Sequence, residues 1–303
     1  MSNVLFSVLV ITYNQEKYIA QTLDSIINQK HGYSYEIVIG DDCSTDGTRK
    51  IIEDYVEKYP NIIQPIYNST NLGAIENYFN VLQNCTGKYI MECAGDDWWY
   101  QNKVKSQIKF MESHNDIVMC YGKIKTWNED EQKFGKVSGG KKQEFDELMM
   151  GNSVPAVTVC FRKEAAMKYF FDVKPLEQQW LMEDIPMWLY FSLFFRISFI
   201  NKVFAYYRVL GESLSHSVNS EKQKKFDESC LEIRKYYAER YGRQEILNQY
   251  MFREQFNKAW NNKDRKSIVD YGIKLKTKSL IDCFKVCLAK NKVLMKFYIL
   301  LKK

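Results

Sequence analysis

The chain has 303 residues, 46% of them hydrophobic and 26% charged, with 14 Gly and 5 Pro. That is enough apolar material for one large domain or two ordinary ones, and it excludes a disordered, collagen-like or low-complexity chain. The net charge of +6 is uneven: residues 273–303 hold nine Lys against one Asp, which leaves −2 for the other 272 residues, so this is a near-neutral body with a basic tail and not a nucleic-acid-binding protein.

The opening stretch MSNVLFSVLVITYN has no basic n-region and reaches a polar turn early, so it does not read as a secretion leader. Four segments then share one composition: 6–12 (FSVLVIT), 35–40 (YEIVIG), 62–67 (IIQPIY) and 89–93 (YIMEC). Each is short, apolar and rich in β-branched residues, as a strand buried on both faces should be. Between them run helical patterns. Ile19, Leu23, Ile26 and Ile27 line one face; Ile51, Ile52, Tyr55, Val56 and Tyr59 the next; Tyr78, Val81 and Leu82 a third. The strand starts fall just under thirty residues apart, the size of a strand–helix crossover. Repeated crossovers of that kind make a mainly parallel sheet flanked by helices, and ligands bind beyond the carboxyl ends of its strands.

Further along, 117–121 and 157–161 read as strands. The polar segment 128–142 between them, with Gly135, Gly139 and Gly140, reads as a mobile flap or an ordinary surface loop. The longest apolar stretch, 185–207, is interrupted by Pro186, Arg196, Asn201 and Lys202, so it is expected to be a core helix and a strand, not a membrane span. The eight Cys form no CxxC pair and read as free thiols, mostly buried, in a reducing cytosol.

The four strand ends are followed by polar loops: Thr12-Tyr13-Asn14-Gln15, Asp41-Asp42-Cys43-Ser44-Thr45-Asp46-Gly47-Thr48, Asn68-Ser69-Thr70-Asn71-Leu72-Gly73 and Ala94-Gly95-Asp96-Asp97-Trp98-Trp99. Two of them carry adjacent carboxylates, which repel each other unless something uses the charge. Capping of the next helix by Asp46 or Ser44 is the plain reading of the second loop. A carboxylate at a strand tip can also accept from a base N–H or a ribose hydroxyl. Asp96 and Asp97 offer hard oxygen ligands for Mg²⁺ or Mn²⁺, or form an ordinary turn. Trp98 and Trp99 begin the next helix as core residues, or one of them lines a pocket. No GxGxxG, GxxxxGK[ST] or GxSxG motif is present, which argues against a dinucleotide dehydrogenase, a P-loop NTPase and an α/β-hydrolase. With three His in all, a His-rich metal site is not expected.

Taken in order, Ser7-Val8-Leu9-Val10-Ile11-Thr12-Tyr13-Asn14, Asp41 to Thr48, Asn71-Leu72-Gly73, Gly95-Asp96-Asp97-Trp98-Trp99, Glu183-Asp184 and Tyr207-Arg208 resemble the family 2 glycosyltransferases across about residues 5–215. The resemblance implies an α/β, Rossmann-like GT-A fold with a mixed, mainly parallel sheet over 1–220, which leaves 221–303 as a helical extension. It implies an inverting, metal-dependent transfer from a nucleotide sugar, UDP-linked, to a hydroxyl of a glycan or lipid-linked oligosaccharide in surface-polymer synthesis. By similarity Thr12, Asn14 and Asp42 contact the nucleoside, with Asp42 on the uracil edge; Asp41, Asn71 and Asp96 complete the nucleotide-binding set. Asp96 and Asp97 match the metal-binding region, and Asp184 matches the general base, although an acid there also suits the start of a helix. Two departures stand out. Ala94 occupies a position where the family often has an acid, and the nearest His after Tyr207-Arg208 is His216, which replaces a missing ligand or sits in a loop. A nucleotidyltransferase, or an inactive membrane-associated binding module, is the alternative reading.

In the tail, Leu280, Phe284, Cys287, Leu294, Tyr298 and Leu301 fall on one helical face, while Lys278, Lys285, Lys292, Lys296 and Lys303 cluster opposite. That pattern suits an anionic membrane surface, with the enzyme peripheral at the inner membrane face. A terminal helix docked on the body with its lysines solvated gives the same pattern.

Overall fold

The computed structural model describes residues 4–151, 154–210 and 220–301; His216 and Lys303 lie outside them. The first 100 residues alternate as expected: β1 Phe6–Thr12, α1 Ile19–Ile27, β2 Tyr35–Asp41, α2 Thr48–Lys58, β3 Ile63–Tyr67, α3 Ala74–Asn84, β4 Tyr89–Ala94 and the two-residue β5 Trp98–Trp99. There follow α4 Lys103–Ser113, β6 Ile117–Asn128, β7 Lys133–Ser138, α5 Phe145–Met149, β8 Cys160–Arg162, α6 Lys163–Val173, α7 Asp184–Phe194 and β9 Arg196–Val209. Helices complete the chain: α8 Ser220–Arg240, α9 Gln244–Asn261, α10 Arg265–Lys274, α11 Leu280–Lys290 and α12 Lys292–Leu301.

The strands form one mixed sheet in the order β3-β2-β1-β4-β8-β6-β9-β5, with β7 on β6. β1 lies between β2 and β4, parallel to both, so Thr12 is level with Asp41, and Ile11 with Ala94. Pro65 is tolerated in β3 because that strand is an edge. One core holds Val8, Val10, Ile37, Ile39 and Met91 with Ile19, Leu23, Ile52 and Ile108 from the helices, all buried. Each such side chain stabilises by about 1.5–3 kcal/mol, which fixes the sheet whose tips carry the polar loops.

Three expectations change. The apolar run 157–161 is not one strand: Ala156–Thr158 is a 3₁₀ turn, held by Thr158 Oγ1 donating to Pro155 O at 2.8 Å, and only Cys160–Arg162 pairs with β4 and β6. These residues are apolar because they are buried, not because they are extended. Trp98 and Trp99 do not start a helix; they pair with Tyr206 and Ala205 of β9. The segment expected as a loop contains β7, antiparallel to β6 and exposed along its whole length, which is why its composition is that of a surface. Gln132, at φ 49°, completes the turn between them.

The chain divides into two compact units, 1–148 with 152–233, and 149–151 with 234–303. The division falls inside α8. Its earlier part belongs with the first unit, where Ser229 Oγ accepts from Leu181 N at 2.9 Å. In the second unit Phe256, Ile268, Leu275, Leu288 and Met295 form a separate core. The tail is two helices, because Asn291 Oδ1 accepts from Val293 N and Leu294 N and starts α12 afresh. Tyr298, expected on the same apolar stripe as Leu280 and Phe284, packs against Trp260 with ring centroids 5.3 Å apart.

Candidate functional site

The loops after β1 and β2 are joined by a short ladder of hydrogen bonds. Asn14, at φ 52°, receives Thr45 N on Oδ1 at 2.8 Å and donates its own N–H to Ser44 Oγ at 2.9 Å. Gln15 N donates to Thr48 Oγ1 at 2.8 Å and Glu16 N to Asp46 Oδ2 at 3.1 Å. Asp46 Oδ1 also accepts from Thr48 N, the first residue of α2, at 3.0 Å, so it steadies the helix start from one position before the N-cap, which is Gly47 and not the Asp46 or Ser44 expected.

The adjacent acids of this rim serve different elements. Asp41 Oδ2 accepts from Arg49 Nε at 2.9 Å and pairs with Nη2 at 2.8 Å, its side chain wholly buried. Asp42 takes Leu72 N at 2.8 Å and Asn68 Nδ2 at 3.0 Å on Oδ1, and Gly73 N at 2.9 Å on Oδ2. Asn71 Nδ2 donates to Asp42 O at 3.2 Å. Asp42, 3% exposed, therefore shapes the turn that leads into α3, where Gly73 adopts φ 84°.

The third tip carries Gly95-Asp96-Asp97. A side chain at Gly95 has no room, because a Cβ there would lie 2.3 Å from Gln15 Oε1 and 2.7 Å from Thr12 Oγ1. Gln15 bridges the first and third tips: its Oε1 accepts from Thr12 Oγ1 at 2.8 Å, and its side chain hydrogen-bonds Asp96. Thr22 Oγ1 fixes the turn through Gly95 O at 2.9 Å and Asp97 O at 2.7 Å. Asp97 turns inward, its Oδ1 accepting from Arg208 N at 2.8 Å, while Asp96 stays partly exposed. Burial raises Asp96, and burial followed by the charge of Asp96 pushes Asp97 well above the usual carboxylate range. Arg208 Nε donates to Asp96 O at 2.8 Å, and the guanidinium lies between the rings of Tyr18 and Trp98, 4.4 and 4.7 Å from their centroids. It also pairs with Glu129 and Gln21. Of the residues that hold this tip in place, Arg208 had a sequence signal in the Tyr-Arg pair, whereas Gln15 and Thr22 are ordinary polar residues whose place comes from the fold.

A second acid group lies where α7 begins. Glu183 and Asp184 act on Glu92 of β4, whose Oε1 accepts from Tyr78 OH. Burial, with the charges of Glu183 and Asp184 added, holds Glu92 well above its ordinary range. Burial and then the charge of Asp184 push Glu183 up to about 7. Lys103, wholly buried, faces the same region and donates to Val159 O at 3.2 Å; burial pulls it down to about 8. Asp184 Oδ1 accepts from Ile185 N at 2.6 Å, so it does occupy the helix start.

Beside Arg208 opens a pocket of about 520 Å³ lined by Lys17, Gln21, Trp98, Trp127, Glu129, Gln132, Phe134 and Tyr206, among others. Trp98 stacks on Tyr206 at 4.9 Å, and Phe134 lies edge-on to Trp127 at 4.8 Å. Trp98 thus forms the pocket wall and Trp99 the core. Three lining residues, Glu129, Gln132 and Phe134, come from the segment expected as a flap.

Comparison with known proteins gives this geometry a family. A protein of Mycobacterium tuberculosis whose function is uncharacterised is 33% identical over 162 residues, 52% of this chain and 47% of its own length. TuaG of Bacillus subtilis, named for teichuronic acid biosynthesis, is 38% identical over 107 residues, 35% of this chain and 42% of its own. The chain thus spans about half the length of the curated relatives it matches. Among solved structures, Staphylococcus aureus TarS 1–349 in complex with UDP-GlcNAc superposes with a TM-score of 0.64 and 23% identity, covering 89% of this chain and 81% of that one, which shows the shared GT-A fold. The model of glycosyl transferase family 2 matches residues 7–170, and the chain belongs to that family.

Proposed function

We propose that the chain transfers a sugar, hexosyl or N-acetylhexosaminyl, from a UDP-linked donor to a hydroxyl of a glycan or lipid-linked oligosaccharide acceptor, with inversion, in surface-polymer synthesis. The observation that carries this reading is the meeting of three parallel strand tips in one hydrogen-bonded rim, with Gln15 joining Thr12 to a partly exposed Asp96. TarS, whose fold this chain shares, was crystallised with UDP-GlcNAc, and TuaG is named for teichuronic acid biosynthesis.

In this reading Thr12, Asn14, Asp41, Asp42 and Asn71 build the nucleoside end of the rim, with Asp42 holding the 68–73 turn against it. The fit to a divalent ion rests on the donor set. Asp96 is a hard, partly exposed carboxylate, and Asp97 is committed to the backbone of β9. Among the described residues no group of three or more His, Cys, Asp or Glu could hold a metal alone. One carboxylate with diphosphate oxygens and water is the environment Mg²⁺ prefers, and Mn²⁺ accepts the same hard oxygens. When bound, such an ion supplies Lewis-acid stabilisation of the charge that grows on the leaving diphosphate. Asp96 would hold it, and Asp97 with Arg208 would keep Asp96 in place.

The acceptor hydroxyl is a weak nucleophile, so a carboxylate opposite the leaving group takes its proton as the new bond forms. Asp184 fills that role, next to Glu183 and Glu92, both of which its charge helps to raise. Attack and departure on opposite faces invert the anomeric carbon in one step. The aromatic pocket suits the acceptor side, because sugar rings stack on exposed indole and phenyl faces while Gln21, Gln132 and Glu129 offer partners for hydroxyls. All eight cysteines are free, as a reducing compartment keeps them.

The test is a panel of nucleotide sugars with and without Mn²⁺, following released nucleotide and, by NMR, the anomer formed. UDP release with an inverted product supports the reading. Pyrophosphate release would assign a nucleotidyltransferase instead, and silence with every donor a binding module; either sinks it.

A further inference from the structure

The second unit carries an apolar surface that its own core does not use. On α11, Leu288 and Ala289 turn inward to pack with Phe256, Ile268 and Leu275. Nearer the start of the same helix Leu280, Ile281 and Phe284 stand in the open, 90%, 66% and 56% exposed. On α12, Val293 and Leu294 are exposed as well. The orientation is fixed locally, because Ser279 and Asp282 form a reciprocal capping box at the start of α11. Large apolar side chains grouped in water mark an interaction surface.

The charges around the group say what kind of surface it meets. Residues 273–301 hold seven lysines and one acid, Asp282. That acid is buried, its Oδ2 lying 2.7 Å from Arg253 Nη1, so it offsets none of the outward lysines. Lys276 is paired with Glu245 at 2.9 Å; Lys278, Lys290, Lys292 and Lys296, which lie beside these apolar residues in the chain, are exposed. Apolar side chains bordered by lysines match a layer with an oily interior beneath a negative surface.

We propose that the exposed part of α11 and α12 docks on an anionic lipid bilayer, with Leu280, Ile281 and Phe284 entering the boundary between headgroups and acyl chains and the lysines contacting lipid phosphates. This binding does not depend on sugar transfer and is measured without donor.

The experiment is co-sedimentation of the full chain with vesicles of phosphatidylcholine alone and of phosphatidylcholine with about one third phosphatidylglycerol, at low and high salt. The chain should pellet with the anionic vesicles, less so at high salt, and remain in solution with the neutral ones. The double variant Leu280→Ser/Phe284→Ser should lose binding by about tenfold or more. Both positions face solvent, so an unchanged Tm verifies that the fold is kept. Equal, negligible pelleting of the native chain and the double variant on anionic vesicles would overturn the proposal. So would a dimer on size-exclusion chromatography that the double variant abolishes while neither form pellets, since a second copy would then be the occupant.

Discussion

Two pairs of neighbouring acids, Asp41-Asp42 and Glu183-Asp184, look alike in the sequence and are treated in opposite ways by the fold. The first pair is surrounded by donors: Arg49 closes on Asp41, and two backbone N–H groups with the Asn68 amide close on Asp42. Its charge is spent on holding two loops and the entry to α3. The second pair is set against a third acid, Glu92, and burial with mutual repulsion raises Glu183 to about 7. Carboxylates met by donors become scaffold. A carboxylate such as Glu183, crowded by another in a poorly solvated place, binds its proton more readily.

The contrast can be broken or sharpened by substitution. The largest effect should come from Asp184→Asn. Transfer should fall by about 10²- to 10⁴-fold while donor affinity, read by calorimetry, changes little; full activity in this variant would remove Asp184 as the base. Next, Asp42→Ala strips the acceptor from Leu72 N, Gly73 N and Asn68 Nδ2. Stability to urea should drop by about 3 kcal/mol, an effect that Asp184→Asn should not show.

Glu183→Gln probes the crowding itself. Glu183 titrates near 7 in the folded chain against an ordinary 4.5, so the folded state keeps a proton that the unfolded chain has released between those values. The stability this contributes is complete below the unfolded value and is lost as pH rises towards 7. The Gln variant should therefore gain on the native chain by about 2–3 kcal/mol between pH 5 and pH 8, measured by denaturant melts at each pH. A difference that stays flat with pH would show that the second pair is no more strained than the first. The smallest change belongs to Phe134→Ala, which touches neither pair. It should raise the acceptor KM by up to about tenfold and leave donor hydrolysis unaltered.

Much of this was readable before folding. The β1–β4 repeat shows itself because strands buried on both faces must be continuous apolar runs, and their spacing leaves room for one crossover helix. The candidate acids could be found because two adjacent carboxylates are costly and need a reason. Other features were hidden. β7 has the composition of a surface because all of it is exposed. The 157–161 run looked like a strand because burial and extension select the same residues. Gln15 and Thr22 gave no signal, because an amide and a hydroxyl become part of a site only when the neighbouring strand end arrives beside them.

By itself the sequence determined the alternation of strands and helices, the four polar tips and the basic, apolar tail, since each depends on residues near one another in the chain. Only the tertiary structure decided which acids meet donors and which meet other acids, that Asp97 turns inward while Asp96 stays partly open, and which part of α11 is left to solvent. Those outcomes depend on elements far apart in the chain, where a neighbour's charge or burial is set by packing and not by local propensity.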